Sequence, residues 1–142
     1  MLTAGTLARK TDLPVHTVRH YTRIGLLHPS RNEQNNYKVY QPSDAVRLRF
    51  IVASKELGFT LAEINQILDE AELGQSPCPS VRKIIVGHIE ENKRKIKEMQ
   101  KLQKKMESAL KDWGGLKDSM PNGDSVCHLI ESVAEIENNL VA

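Results

Sequence analysis

Apolar residues recur along this chain at helical rather than alternating spacing, and polar breaks cut the pattern into short pieces. Leu7 and Ala8 mark the inner side of a first helix predicted from about Thr3 to Lys10. Pro14 suits the first position of a second helix, where no amide donor is needed. Val15, Val18 and Tyr21, then Thr22 or Ile24, keep the helical step until Gly25 stops it. Tyr37-Lys38-Val39-Tyr40 alternates as a strand does, and Asn35-Asn36 tolerates the positive φ of a tight turn. Residues 30–40 therefore read as a two-stranded wing. Ser43-Asp44 starts a third helix, with Val46, Leu48, Phe50, Ile51 and Leu57 as its apolar face up to Gly58. Thr60 and Glu63 make a capping box for a fourth helix, which carries Leu61, Ile64, Ile67 and Leu68 and ends at Leu73-Gly74. Two prolines in Gln75-Ser76-Pro77-Cys78-Pro79-Ser80 then exclude a continuous helix.

From Ser80 to Trp113 the pattern changes. Ile85, Ile89, Asn92, Ile96, Met99, Gln103, Met106, Leu110 and Trp113 follow alternating steps of four and three, with Lys and Glu dense between them. A seam that narrow and that long wants a partner helix, the alternative being a long helix folded back onto its own domain, and its two polar members can fix register. At 1.5 Å per residue the helix would run roughly 50 Å. Gly114-Gly115 ends it, residues 116–126 form a loop containing Pro121, Asn122 and Gly123, and Cys127 opens a short amphipathic helix with Leu129, Ile130, Val133 and Ile136. The expected organisation is a compact head over 1–74, a coiled-coil helix over 80–113, and a loop and final helix over 114–142.

Charge changes this picture more than composition does. The net charge is only +2, but residues 1–58 hold 9 Lys and Arg against 4 Asp and Glu, whereas residues 59–142 hold 11 against 14. A basic head joined to a mildly acidic remainder suggests a nucleic-acid module attached to something else. The second helix carries Thr17, Arg19, His20, Tyr21 and Arg23, a short polar set that a duplex major groove would use. Aromatics at 4% fit helices packed through Leu, Ile, Val and Ala. No nucleophile–base cluster, phosphate loop or HExxH zinc motif is present, so an enzyme is not expected. A coiled-coil adaptor would account for the long helix but not for the basic head. No stretch has the apolar core of a signal peptide or the length of a membrane span, and Cys78 and Cys127 are too few for a disulfide scaffold, so a cytoplasmic protein is expected.

The strings LARKTDLPVHTVRHYTRIGLL, NNYKVYQPSDAVRLRFI and ELGFTLAEINQIL, in that order and spacing, resemble the MerR family of bacterial transcriptional regulators. The long helix and the terminal cysteine-bearing helix extend the resemblance over nearly the whole chain. It departs from the family at Asn36, where a wing glycine is usual, at Lys38 in place of arginine, and at Thr22 in place of glutamate. The resemblance implies a mainly α fold: a winged helix-turn-helix DNA-binding domain, a long dimerisation helix pairing as an antiparallel coiled coil, and a short C-terminal effector loop and helix. It implies a homodimer that binds a palindromic promoter and, on effector binding, distorts the DNA so that RNA polymerase can engage it. His16, Thr17, Arg19 and Tyr21 on the second helix would face the DNA; Arg31, Asn35, Tyr37 and Lys38 in the wing, with Lys55, would contact backbone or minor groove.

The same family includes soft-metal sensors. In the divalent-metal branch a cysteine just before the long helix meets two cysteines of the partner subunit's C-terminal loop; Cys78 matches the first of these and Cys127 the last. The middle cysteine is missing, with Lys117 or Asp118 in its place. A thiolate pair with a third ligand from His128, Asp118 or Asp124 would suit zinc, cadmium, lead or mercury. The alternatives are a thiol that senses redox or electrophile stress, with Cys127 at a helix N-terminus, or an organic effector.

Overall fold

The computed structural model describes the backbone of residues 2–141 and the side chains of residues 2–134; the Ile136 side chain lies outside the described residues. The chain forms two compact units, Met1–Ile89 and Glu90–Ala142, and the division falls inside the long helix.

The first unit holds α1 (Ala4–Thr11), α2 (Val15–Arg23), a hairpin of β1 (Ser30–Arg31) and β2 (Lys38–Val39), α3 (Pro42–Glu56), α4 (Leu61–Glu72) and the opening turns of α5 (Cys78–Trp113). Thr3 caps α1 by accepting the Thr6 amide at 3.2 Å. Asp12 ends α1 in the left-handed region at φ 56, and the turn into α2 follows at once. Pro14 sits one position earlier than expected: with ψ 144 it is the extended cap before α2, and its carbonyl accepts from Thr17 at 3.0 Å. Gly25 stops the segment with φ 88, as its place in the sequence indicated.

The wing is shorter than the alternating pattern suggested. Ser30 pairs with Val39 and Arg31 with Lys38, antiparallel, while Tyr40 bridges back to Leu2 instead of extending the strand. Asn36 supplies the positive φ of the turn, at 60°. α3 begins at Pro42 rather than at Ser43-Asp44, because proline occupies the first turn and Asp44 Oδ2 reaches back to accept the Gln41 amide at 2.7 Å. Its inner face is Ala45, Leu48 and Ile51 with Ser54, so two expected members are corrected: Val46 is 68% and Leu57 63% exposed. At about 100° per residue Val46 falls on the outer side from Leu48, and Leu57 lies past the last turn. The Thr60–Glu63 capping box on α4 is formed in both directions.

Leu7, Val18, Leu26, Leu27, Leu48, Ile51, Ile64 and Ile67 are the fully buried side chains of this unit, closed by Tyr40 and Phe59. Half-buried Val81, Ile84 and Ile85 of α5 pack against them, so the first turns of the long helix belong to the head. That helix starts at Cys78, two residues before the expected Ser80, since Pro79 is tolerated in a first turn.

The second unit contains the rest of α5, a loop, and α6 (His128–Val141). Gly114 closes α5 on the Lys111 carbonyl, and the Trp113 indole donates to the Leu129 carbonyl at 2.8 Å, tying α5 to α6.

Candidate DNA interface and thiol sites

In α2, Val18 is fully buried, and Tyr21 joins it in the core at 9% exposure. His16, Arg19, His20 and Arg23 are exposed on the other side and Thr17 is half-buried, which leaves a polar surface one helical face wide. Tyr21 therefore differs from the sequence expectation in that its ring packs inward; the exposed residues of the helix among those expected to face DNA are His16 and Arg19, with Thr17 half-buried. Arg23 and His20 hold each other at 3.0 Å on the same exposed side.

In the wing, Arg31 and Lys38 are directly opposite each other on antiparallel strands. Two cations so placed repel in the free protein, and an anion lying across them would relieve that cost. The Arg31 guanidinium donates to the Asn36 carbonyl at 3.1 Å, Asn35 Oδ1 accepts the Tyr37 amide at 3.1 Å, and Tyr37 itself is exposed. Asn35 thus shapes the loop that presents the others. Lys55 is exposed in the last turn of α3.

Four supporting contacts were not legible in the sequence. Thr22 Oγ1 meets the Tyr40 hydroxyl at 2.7 Å, linking α2 to the residue after the wing. Arg49 donates to the Lys10 carbonyl at 3.1 Å, bracing the end of α1. Arg47 donates through Nε to the Leu26 carbonyl and through Nη1 to Glu72, both at 2.6 Å.

Cys78 is exposed in the first turn of α5, in the first unit. Cys127 is half-buried in the second unit, where its carbonyl accepts the Glu131 amide at 3.1 Å and so opens α6. Next to it His128 Nδ1 is hydrogen-bonded to Ser119 Oγ. Glu131 accepts from the Ser125 hydroxyl and from the Val126 amide at 3.1 Å; these bonds hold its carboxyl below the usual range and fix the backbone leading into Cys127. Asp118 and Asp124 are exposed in the loop. Among the described residues of one chain, no three His, Cys, Asp or Glu side chains gather as a metal cage.

The description "MerR HTH family regulatory protein" matches residues 2–71, and "MerR, DNA binding" matches residues 45–109. The mercuric resistance operon regulatory protein of Bacillus cereus is 31% identical over 131 residues, covering 91% of this chain and 94% of its own. This chain belongs to the MerR family. It is a DNA-binding transcriptional regulator of that family. The HTH-type transcriptional regulator HmrR of Rhizobium leguminosarum bv. viciae is 35% identical over 103 residues, 72% of this chain and 79% of its own. Among solved structures, the transcription regulator PbrR691 of Ralstonia metallidurans in complex with lead(II) superposes with a TM-score of 0.72 at 26% identity, over 94% of this chain and 99% of that one. Among the described residues no helix is long and apolar enough to cross a membrane.

Proposed function

We propose that this MerR regulator binds a palindromic promoter as a homodimer and changes the shape of that DNA when a soft divalent metal ion occupies a thiolate site. The exposed cations of the head carry the DNA half of the reading. Arg19 on α2 and the opposed Arg31–Lys38 pair in the wing would take phosphates, and His16, Thr17, Asn35, Tyr37 and Lys55 are the further residues that the family resemblance assigns to DNA. Phosphate contacts position the head, and deformation of base pairs it does not touch supplies the regulation that RNA polymerase reads.

The long helix supports the homodimer. Ile96 is 56% and Met99 65% exposed, and Met106 and Leu110 continue the same apolar row. A second copy of α5 would cover that row as a coiled coil.

Donor chemistry supports the metal half. Cys78 and Cys127 are both free thiols, an imidazole follows Cys127, and thiolates with imidazole favour zinc, cadmium, lead or mercury over hard cations. The relatives named for mercury resistance and bound to lead(II) point the same way. As the family resemblance implies, Cys78 of one subunit and Cys127 of the other would be ligands across the dimer, with His128 or Asp118 completing the set, and the ion would supply the binding energy that biases one DNA-bound state over the other.

The test is a titration of reduced protein with zinc, cadmium, lead, mercury and copper(I), followed by thiolate absorbance and metal content, alongside Cys78→Ser and Cys127→Ser. Selection from a randomised duplex pool supplies the DNA. Stoichiometric divalent binding lost in both variants, with a palindrome selected, is expected. No binding, or binding indifferent to both substitutions, would move the effector to a redox or organic class.

A further inference from the structure

Arg47 occupies an unusual place in the head. Its side chain is only 17% exposed, yet it serves acceptors on two other segments. Nε donates to the Leu26 carbonyl at 2.6 Å, and Nη1 donates to Glu72 Oε1 at 2.6 Å. Leu26 and Leu27 each donate a backbone amide to the Tyr21 carbonyl, at 2.9 and 3.2 Å, so this turn is locked to the end of α2. Leu26 is also where the chain leaves α2 for the wing, whose first strand begins at Ser30. Glu72 is the last residue of α4, and from it Leu73, Gly74 and Pro77 lead to Cys78.

We infer that Arg47 is a positioning residue that couples the end of α4, where the segment carrying Cys78 departs, to the junction of the DNA-reading helix and the wing. The inference rests on the reading of the head as a DNA-binding module and deepens its regulation. A displacement of Glu72 moves one end of a rigid, planar guanidinium whose other end holds the Leu26 carbonyl. A lysine at 47 keeps the charge and one contact but not the two-sided fork. The α3 position is suited to the role because Ala45, Leu48 and Ile51 fix the helix in the core on either side.

The experiment is a double-mutant cycle on full-length protein, using Glu72→Gln and Arg47→Lys. Glu72 is 61% exposed, so its substitution leaves the fold intact. Affinity for the duplex selected from the randomised pool is measured by anisotropy. Glu72→Gln is expected to change that affinity about threefold in the Arg47 background, the scale of an exposed ion pair, and to change it no further in the Arg47→Lys background. A bulk-charge effect of removing a carboxylate would appear equally in both backgrounds, and that result overturns the inference, as does an unchanged affinity on Glu72→Gln. A second readout uses the free protein: the amide resonances of Leu26 and Leu27 should move on Glu72→Gln only when Arg47 is present. If the wild-type chain binds no duplex, the functional reading fails while these resonances still decide the strut. Unmoved resonances refute it.

Discussion

Replacing Arg19 with alanine removes one exposed cation from each head while leaving Val18 and Tyr21 to hold α2 in the core. Each phosphate contact contributes about 0.9 to the slope of log affinity against log salt concentration. A two-headed complex would lose two such contacts, so the slope should become shallower by about 1.8. Extrapolated from a 1 M reference, that is roughly a 60-fold loss at 0.1 M salt, shrinking as salt rises. The assay is fluorescence anisotropy on a labelled duplex carrying the selected palindrome, repeated across a salt series for both proteins. Circular dichroism confirms that the variant keeps its helices. A variant with wild-type affinity and wild-type slope would remove Arg19 from the interface. A uniform loss with an unchanged slope would show that Arg19 acts without a phosphate partner, which is equally against the reasoning.

Other outcomes follow from the same geometry. Ile64 is fully buried, and Ile64→Ala should cost about 2–5 kcal/mol in chemical denaturation of the head; a loss under 1 kcal/mol would mean that the site collapses around the truncation. Glu63 accepts the Thr60 amide and also meets His88 Nε2 at 2.7 Å, and these contacts, the Thr60 bond first, hold its carboxyl below the ordinary value. Because the folded value is the lower one, the stabilisation is complete above the ordinary carboxylate range, about pH 4.3, and is lost as pH falls through the folded value. Glu63→Gln should flatten that part of the acid limb in urea midpoints measured against pH; superimposable limbs would contradict this. Ile96→Glu places a charge in the exposed apolar row of α5 and should convert a dimer to a monomer by sedimentation, whereas an unchanged mass would place the dimer contact elsewhere.

What could be read from the sequence was local. The capping box at Thr60 and Glu63, the positive φ at Asn36 and the stop at Gly25 each need only neighbouring residues, and each is in place. Helix starts at Pro42 and Cys78 were displaced because proline is compatible with a first turn and marks a boundary only to within a residue or two. Val46 and Leu57 misled because an apolar side chain signals burial only when its direction agrees, and tertiary contacts decide which side of α3 faces the core. For the proposed DNA contacts, charge marked the head as basic and the family resemblance picked out the cations at 19, 31, 38 and 55, all of which are exposed. Tyr21 carried two signals, a phenol suited to DNA and a spacing shared with Val18, and the spacing decided its place. Arg47 left no trace, since its acceptors stand 21 and 25 residues away and no short motif records a carbonyl brought near by folding.

End-to-end energy transfer across the selected duplex, bound to protein and titrated with zinc, cadmium, lead or mercury, bears most directly on regulation by DNA shape. A metal-dependent change in transfer at saturating protein, stoichiometric in metal and absent from both Cys78→Ser and Cys127→Ser, is the predicted result. Metal uptake with no change in transfer, or a change that survives both substitutions, would contradict the coupling of a thiolate-held ion to DNA distortion.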